Sequence, residues 1–140
     1  MAVLVTGGAG YIGSQTARLL RERGRDVVIL DSLELGDERA CLGAPLVVGD
    51  IADAALVQKA IADHGVDAIV HFAGYKAAGE SMEDPGRYFG NNVAKTSALV
   101  DAAREVGVGR IVFSSSCSVY GPPTRLPVVV NHTAAPESPY

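Results

Sequence analysis

The feature that most constrains this sequence is a short apolar strand that runs directly into a glycine-spaced turn near the amino terminus. Leu4-Val5-Thr6 leads into a stretch that contains both G-x-x-G-x-x-G and G-x-G-x-x-G, with its glycines at Gly7, Gly8, Gly10 and Gly13. Glycine lets the backbone turn tightly and lets a phosphate approach without meeting a side chain. A helix that opens at such a turn points its unpaired N–H groups at the anion. The pattern therefore predicts a pyrophosphate-binding strand, turn and helix.

The residues after the turn strengthen this prediction. Apolar residues at helical spacing follow, Gly24 stands where a glycine ends a helix, and a second apolar run ends at Asp31. Asp31 lies about twenty residues beyond the glycines, where a carboxylate can accept both hydroxyls of an adenosine ribose. Such a carboxylate would repel a 2′-phosphate, which favours NAD over NADP. The alternative is that Asp31 is only a solvated carboxylate at the start of a loop.

Composition indicates one soluble globular domain. The chain has 140 residues, 48% of them hydrophobic and 20% charged, which fits neither a disordered nor a low-complexity chain. A net charge of −4 and the lack of a basic stripe argue against a nucleic-acid partner. No apolar run approaches a membrane span, and residues 1–5 are too short for a signal-peptide core, so we expect no membrane partner and a cytoplasmic location. Cys41 and Cys117 form no metal or disulfide pattern and are interpreted as packing residues, and we expect no metal site.

Short apolar runs alternate with helical patterns along the chain. The runs predict strands at residues 2–5, 27–30, 46–48, 68–72 and 111–113, each buried on both faces, with helices at 12–22, 54–64 and 85–106. Crossovers of that length require parallel pairing. The sequence thus predicts a Rossmann-like, doubly wound α/β sheet in the order 3-2-1-4-5, with the ligand crevice at the carboxyl ends of the strands. From Gly121 onward, recurring prolines predict an extended surface loop.

Several strand ends carry candidate binding residues. Asp50 could accept a hydrogen bond from adenine, or it could cap the next helix, a position for which Asp53 competes. Phe72-Ala73-Gly74 is small enough for a cofactor to approach closely, and Lys76 follows within reach of a phosphate. Asn91-Asn92 interrupts a helical pattern, which asparagine normally weakens. One of the two is predicted to fix neighbouring loops; the alternative is a solvent-facing pair.

Two hydroxyl residues suggest chemistry at the other end of the crevice. Ser116 closes the fifth strand, and Tyr140 is the last residue. A serine and a tyrosine over a nicotinamide form an alcohol-oxidising pair, in which the phenolate removes the hydroxyl proton while hydride leaves for the ring. A phenol ordinarily has a pKa of about 10, so such a base needs a cation beside it.

These residues together resemble the extended short-chain dehydrogenase/reductase family and, within it, the UDP-glucose 4-epimerases. The resemblance covers the whole chain and is most specific in four segments: Val5-Thr6-Gly7-Gly8-Ala9-Gly10-Tyr11-Ile12-Gly13-Ser14, His71-Phe72-Ala73-Gly74-Tyr75-Lys76-Ala77-Ala78-Gly79-Glu80-Ser81, Asn91-Asn92-Val93, and Phe113-Ser114-Ser115-Ser116-Cys117-Ser118-Val119-Tyr120-Gly121. Pro136-Glu137-Ser138-Pro139-Tyr140 is similar to the approach to the family's Tyr-x-x-x-Lys motif.

The resemblance implies a role for each candidate residue. NAD would contact Tyr11 and Ile12 at its pyrophosphate, Asp31 at the adenosine ribose, and Asp50 and Ile51 at adenine. The phosphate and nicotinamide-ribose side would be lined by Phe72, Ala73, Gly74 and Lys76, with Asn91 also touching the cofactor. The 4-hydroxyl of a UDP-sugar would meet Ser116 and Tyr140. The implied reaction is epimerisation at C4 of a UDP-hexose, UDP-glucose or UDP-galactose, through a 4-keto intermediate.

Departures from the family pattern limit what we expect of this chain. Lys95 stands where the family usually has glycine, and Gln15 where the epimerases often have histidine; we interpret both as peripheral. The lysine of the Tyr-x-x-x-Lys motif would fall beyond Tyr140. We therefore expect residues 1–140 to be an incomplete NAD-binding domain, an amino-terminal fragment without a substrate domain and without turnover, whose longer parent forms a possible homodimer. The alternatives are an NAD-binding sensor or regulatory module, or an epimerase of another nucleotide sugar.

Overall fold

The computed structural model describes all 140 residues, Met1 to Tyr140, around one parallel sheet. Its five strands lie in the order β3-β2-β1-β4-β5, as the sequence predicts. Each strand agrees with a predicted apolar run to within two residues at either end. The bounds are Ala2–Thr6 (β1), Asp26–Asp31 (β2), Leu46–Val48 (β3), Val66–His71 (β4) and Ile111–Phe113 (β5). The order reverses at β1, so that the loops after β2 and β4 flank the loop after β1.

Helices connect the strands on both faces of the sheet. The predicted helices at 12–22, 54–64 and 85–106 are confirmed in extent, because residues 85–105 are helical without a break. That stretch is divided by a π-helical turn at Phe89–Ala94, which contains both asparagines, and a short helix that the sequence did not reveal precedes it. The helices are Tyr11–Glu22 (α1), Ala54–His64 (α2), Ala78–Glu83 (α3), Pro85–Tyr88 (α4) and Lys95–Glu105 (α5).

The core has two layers, one on each face of the sheet. The larger layer packs α2 and α5 against the sheet through residues such as Val57 and Leu99, and the smaller layer packs α1 on the opposite face. β1 and β2 are buried along almost their whole length. The prediction of burial on both faces is wrong for the edge strands, because Val112 and Phe113 of β5 are 63% and 58% exposed. The central strands therefore form the most buried part of the sheet.

Local signals explain where α1 ends and how the carboxyl-terminal segment runs. Gly24 has φ of +76°, and its N–H donates to Arg21 while that of Arg25 donates to Leu20, the pattern of a glycine-terminated helix. No helix or strand follows Gly121, which confirms the predicted loop. None of the helices combines the length and the apolar character that crossing a bilayer requires.

The two cysteines differ in environment. Cys41 is buried in the layer beneath α1, which agrees with a packing role. Cys117 is exposed, so the packing interpretation is wrong for it. The reason is its position in the 3₁₀ turn after β5, at the uncovered edge of the sheet.

Candidate functional site

The glycines of the turn after β1 have distinct structural roles. Gly7 has φ of +68°, and a Cβ there would lie 2.6 Å from the backbone nitrogen of Ala73. A Cβ on Gly13 would collide with the carbonyl oxygen of Gly7. A Cβ on Gly10 would meet only that same oxygen, at 3.2 Å, and is otherwise open. Gly7 and Gly13 are thus needed for the turn to pack on itself, while Gly10 leaves space for a ligand.

Unpaired donors surround this open space. The N–H groups of Tyr11, Ile12 and Gly13 donate to no acceptor in the protein, and Gly10 caps α1 without a side chain. No acidic residue lies in the first turn. The side chains of Tyr11 and Ile12 are 83% and 59% exposed and leave the donors accessible. The end of this helix therefore suits an anion such as a pyrophosphate.

Asp31, at the end of β2, is held by the backbone on both sides. Its Oδ2 accepts from the N–H of Ala9 and its Oδ1 from that of Leu33, both at 2.9 Å. The residue is only 8% exposed, so the alternative of a solvated loop carboxylate is wrong. Each carboxylate oxygen has a second lone pair, which leaves it able to accept from a ribose hydroxyl.

Asp50 lies at the end of β3 and pairs with a residue that we interpreted as peripheral. Its Oδ2 is 2.5 Å from Nζ of Lys95, and its Oδ1 accepts from the N–H of Ala52 at 2.9 Å. Burial raises the pKa of Asp50, but these two hydrogen bonds outweigh it and leave the pKa below its usual value. Asp53 caps α2 through the N–H of Leu56, so the capping alternative for Asp50 is wrong. The sequence signal for Lys95 was its departure from the family's glycine.

Ile51 contributes its side chain to the core rather than to the crevice. It is 7% exposed and packs in the layer under α2 and α5. Its backbone alone therefore lies at the crevice beside Asp50.

The π-helical turn holds the loop after β4. Oδ1 of Asn92 accepts from the N–H of Tyr75 at 2.9 Å, and its Nδ2 donates to the carbonyl of the same residue at 2.8 Å. Nδ2 of Asn91 donates to Oδ1 of Asn92 at 3.0 Å. The prediction that one asparagine fixes a neighbouring loop is confirmed for Asn92, and the solvent-facing alternative is wrong. π-Helical turns are frequent at functional sites.

The residues of this loop lie where a ligand could reach them. Phe72 and Ala73 are half-buried, whereas Gly74 and Lys76 are exposed. Lys76 makes no hydrogen bond or ion pair within the protein, so its ammonium is free for an anion. The backbone of Gly7 packs directly on Phe72 and Ala73, which brings the first and fourth strand ends together.

A buried histidine that the sequence reading overlooked joins three elements behind the site. Oγ1 of Thr96 donates to the carbonyl of Asn92, so it must accept from Nε2–H of His71, 3.0 Å away. Nδ1 of His71 is then unprotonated and accepts from Oγ1 of Thr6 at 2.6 Å. Burial lowers the pKa of His71. The neutral ring thus links β1, β4 and α5 directly below the glycine turn.

The two predicted catalytic residues are not joined by a hydrogen bond. Oγ of Ser116 accepts from the N–H of Ser118 and donates to Oγ of Ser118, both at 3.2 Å, and so caps a short 3₁₀ turn. Tyr140 packs edge-on against Tyr88, with ring centroids 6.4 Å apart. Tyr88 is fully buried, and its hydroxyl accepts from the N–H of Ala77 and donates to Glu80. Tyr140 therefore packs against the buried tyrosine that holds the loop after β4 through Ala77.

Comparison with known proteins agrees with this architecture. A family model described as "NAD dependent epimerase/dehydratase family" matches residues 3–140. A UDP-glucose 4-epimerase of Halalkalibacterium halodurans is 41% identical over 140 residues, which cover 100% of this chain and 42% of that protein. One of Klebsiella pneumoniae is 46% identical, with 92% of this chain and 99% of that sequence covered.

A solved structure gives the same result in three dimensions. The UDP-glucose 4-epimerase from Brucella ovis, crystallised in complex with NAD, matches with a TM-score of 0.96 and 42% identity over 99% of this chain and 43% of that chain. The present chain spans about two fifths of the length of the Brucella and Halalkalibacterium proteins. From the family match, the parallel sheet and the glycine turn, we conclude that this chain belongs to the NAD dependent epimerase/dehydratase family.

Proposed function

We propose that these residues form the NAD-binding domain of an enzyme that epimerises C4 of a UDP-hexose, interconverting UDP-glucose and UDP-galactose. The single observation that supports the cofactor best is the row of three unpaired N–H groups at the start of α1, with the anchored carboxylate of Asp31 beside it. UDP-glucose 4-epimerases among the relatives support the reaction. Because the chain spans about two fifths of the length of most of them, the activity is proposed for a protein of that length that carries this sequence.

Different residues of this chain would bind different parts of NAD. The N–H groups of Tyr11 and Ile12 would bind the pyrophosphate, and Asp31 would accept from the adenosine ribose. Adenine would lie by Asp50 and the backbone of Ile51. The nicotinamide ribose and a phosphate would lie along the loop after β4, where Lys76 supplies a free ammonium and Asn91 an amide. Bound NAD supplies a hydride acceptor that can return the hydride to either face of the sugar.

Ser116 and Tyr140 would act on the sugar. The hydroxyl of Ser116 can exchange its contact with Ser118 for one with the 4-hydroxyl of the sugar, because both are neutral hydrogen bonds. The phenol oxygen of Tyr140 would accept the proton of that hydroxyl as the C4 carbon is oxidised and give it back as the carbon is reduced. A cation beside the phenol would favour its ionised form.

One observation favours a second candidate function, an NAD-binding sensor or regulatory module. Ser116 spends its hydroxyl on a local cap, and no hydrogen bond joins it to Tyr140. A protein that binds NAD but never assembles this pair would report on the cofactor without turning over a sugar.

The proposed function is tested by incubating a protein of the relatives' length that carries this sequence with NAD and UDP-galactose, and by separating the two UDP-hexoses by chromatography. Conversion that is lost in both Ser116→Ala and Tyr140→Phe supports the epimerase and its two catalytic residues. NAD binding by calorimetry without any conversion favours the sensor. The absence of NAD binding would contradict both functions. UDP-N-acetylglucosamine as a second substrate tests the alternative of another nucleotide sugar.

We further propose a cytoplasmic enzyme that forms a homodimer at the length of its relatives. The free state of both cysteines is consistent with a reducing compartment. Val100 on α5 and Val112 on β5 are 40% and 63% exposed and offer apolar surface for association. Light scattering at several concentrations tests the dimer.

A further inference from the structure

We propose that Glu34, Tyr75 and Arg87 form a strap over the glycine turn that controls how fast NAD enters and leaves. The inference rests on the proposed binding of NAD. The hydroxyl of Tyr75 donates to the carboxylate of Glu34 and lies 2.9 Å from both oxygens. Nη2 of Arg87 is 3.3 Å from Glu34, and the guanidinium lies over the ring of Tyr75, 4.2 Å from its centre.

The topology places this strap across the crevice. Glu34 belongs to the loop after β2 and Tyr75 to the loop after β4, while β1 lies between these two strands. Neighbouring strands are about 4.8 Å apart, so the two loops are separated by roughly 10 Å with the end of β1 in the gap. A hydrogen bond between their side chains must therefore pass above the carboxyl end of β1, where the glycine turn begins.

Both loops are fixed before their side chains meet. The loop after β2 is anchored on each side of Glu34, because the N–H of Leu33 donates to Asp31 and that of Asp37 donates to the carbonyl of Ala9. Leu33 itself has φ of +59°, a left-handed conformation that costs energy in a branched residue and is kept only where its surroundings impose it. Glu34 is thus presented by a loop of fixed shape.

The opposite side of the strap is equally anchored. Asn92 bonds both the N–H and the carbonyl of Tyr75. Arg87 is held by a second carboxylate, that of Glu80. Side chains on two anchored backbones lose little further freedom when they pair, so the strap is closed without a ligand.

The strap is also weak enough to open. The side chains of Glu34 and Arg87 are 50% and 39% exposed, and exposed ion pairs contribute little to stability. Opening requires only rotation of side chains, which is fast compared with motion of a loop. A contact that is present in both the free and the loaded protein changes the barrier between them without changing their relative free energies. Removing it should speed entry and release alike and leave the affinity nearly unchanged.

The proposal is tested by stopped-flow fluorescence of NADH on a protein of the relatives' length that carries this sequence. Binding on mixing gives the association rate, and displacement by excess NAD gives the dissociation rate. Tyr75→Phe keeps the ring under Arg87 but removes the bond to Glu34, and both rates should rise by roughly fivefold, as expected for one hydrogen bond. The dissociation constant should stay within about twofold. Glu34→Gln should act in the same direction by a smaller factor, because an amide oxygen accepts from the hydroxyl of Tyr75 more weakly than a carboxylate does and no longer pairs with the charge of Arg87.

Tyr120→Phe is the matched control, because the hydroxyl of Tyr120 has no hydrogen-bond partner and its ring packs on His132, away from the strap. It should leave both rates unchanged. A wild-type chain that binds NADH while Tyr75→Phe and Glu34→Gln keep wild-type rates would overturn the strap and leave the proposed cofactor intact. Faster release with a proportional loss of affinity would also overturn it, since that result indicates a direct contact with the cofactor. A wild-type chain that does not bind NADH overturns the proposed cofactor and the strap together.

Discussion

The two ends of the crevice are built in different ways. At the end formed by the loops after β1, β2 and β4, the main chain itself is held: Asp31 accepts from two backbone N–H groups and Asn92 grips Tyr75 by both its backbone polar groups. At the end formed after β5, Ser116 bonds only its near neighbour Ser118, and β5 is exposed. The comparison teaches that the cofactor-binding end is shaped within these residues, whereas the proposed catalytic pair is not assembled by their contacts alone.

The largest expected effect comes from filling the glycine turn. Gly13→Ala should lower the free energy of unfolding by about 2 to 3 kcal/mol, because the new Cβ meets the backbone of Gly7 and neither side can move aside easily. Alanine is the better helix former, so any loss reports the collision alone. Thermal melting measures the loss of stability, and NAD calorimetry measures any loss of cofactor binding.

Gly79→Ala provides the control for this change. Gly79 lies within α3, and a Cβ there would meet nothing within 4 Å. It should be neutral or slightly stabilising. Equal melting temperatures for the two variants would show that the turn is not rigid and would remove the contrast between the two ends.

The next effect concerns the carboxylate that anchors the turn. Asp31→Asn replaces one acceptor by an NH₂ group that faces a backbone N–H, which should cost about 1 to 3 kcal/mol of stability. Urea unfolding measures it, and Asp26→Asn on the exposed start of β2 is the control. If Asp31→Asn keeps full stability but loses NAD, Asp31 serves the ligand only and does not shape the turn.

The next prediction concerns how stability depends on pH at the cofactor-binding end of the crevice, where His71 is buried. Its pKa in the folded protein lies below the ordinary value of 6.5 because the ring is buried. The unfolded chain therefore binds the proton more readily, so the stability that neutral His71 contributes is complete above pH 6.5 and is lost as the pH falls below it. Urea midpoints from pH 8 to pH 5 should fall more steeply for the wild type than for His71→Gln. Identical slopes for the wild type and His71→Gln would mean that protonated His71 fits its site. His64→Gln, on the exposed end of α2, is the control and should leave the wild-type slope unchanged.

The smallest effect is expected at the ion pair between Lys95 and Asp50. Both side chains are partly exposed, at 35% and 45%, so Lys95→Met should cost less than about 1 kcal/mol, and salt should screen most of it. Since the pKa of Asp50 is lowered in the folded protein, the stability that its ionised carboxylate contributes is present above the ordinary pKa of 3.8. That stability is lost as the pH falls through the pKa of the folded protein. Unfolding at low and high salt measures the pair, and Lys59→Met, which removes the more exposed ion pair with Asp63 on α2, gives the reference for an ordinary surface pair. A loss of several kcal/mol would place Lys95 among the rigid parts of the site.

The sequence predicted the sheet well because its signals are local or periodic. The apolar runs of the central strands and the glycine after α1 give the strand order and one helix end directly. The burial of the edge strands, the short helix at 78–83 and the π-helical turn at 89–94 were not predicted. Exposure of Val112 depends on what covers β5, and the π-helical turn depends on Asn92 finding a loop seventeen positions away along the chain. Both features thus depend on contacts with distant parts of the protein, which the local sequence at β5 and at the π-helical turn does not reveal.

The same distinction applies to the candidate site. Glycine spacing and Asp31 could be identified because strand, turn and helix follow one another in the chain. His71 and the bridge from Glu34 to Tyr75 join residues that are distant in sequence, and only the folded structure brings them together. Lys95 could be seen as an unusual residue, but its partner could not.

The π-helical turn at Phe89–Ala94 sets the rotational phase between two helices. One extra residue in a turn rotates everything after it by about 100° around the axis, a quarter of a revolution or slightly more. Tyr88 before the turn can therefore point at the loop after β4, while Leu99 after it points at the sheet, although both are fully buried. Deleting a single residue here would give a smoother helix that can satisfy only one of these two directions. The π-helical turn therefore lets one continuous helical stretch direct side chains to the crevice before the turn and to the core after it.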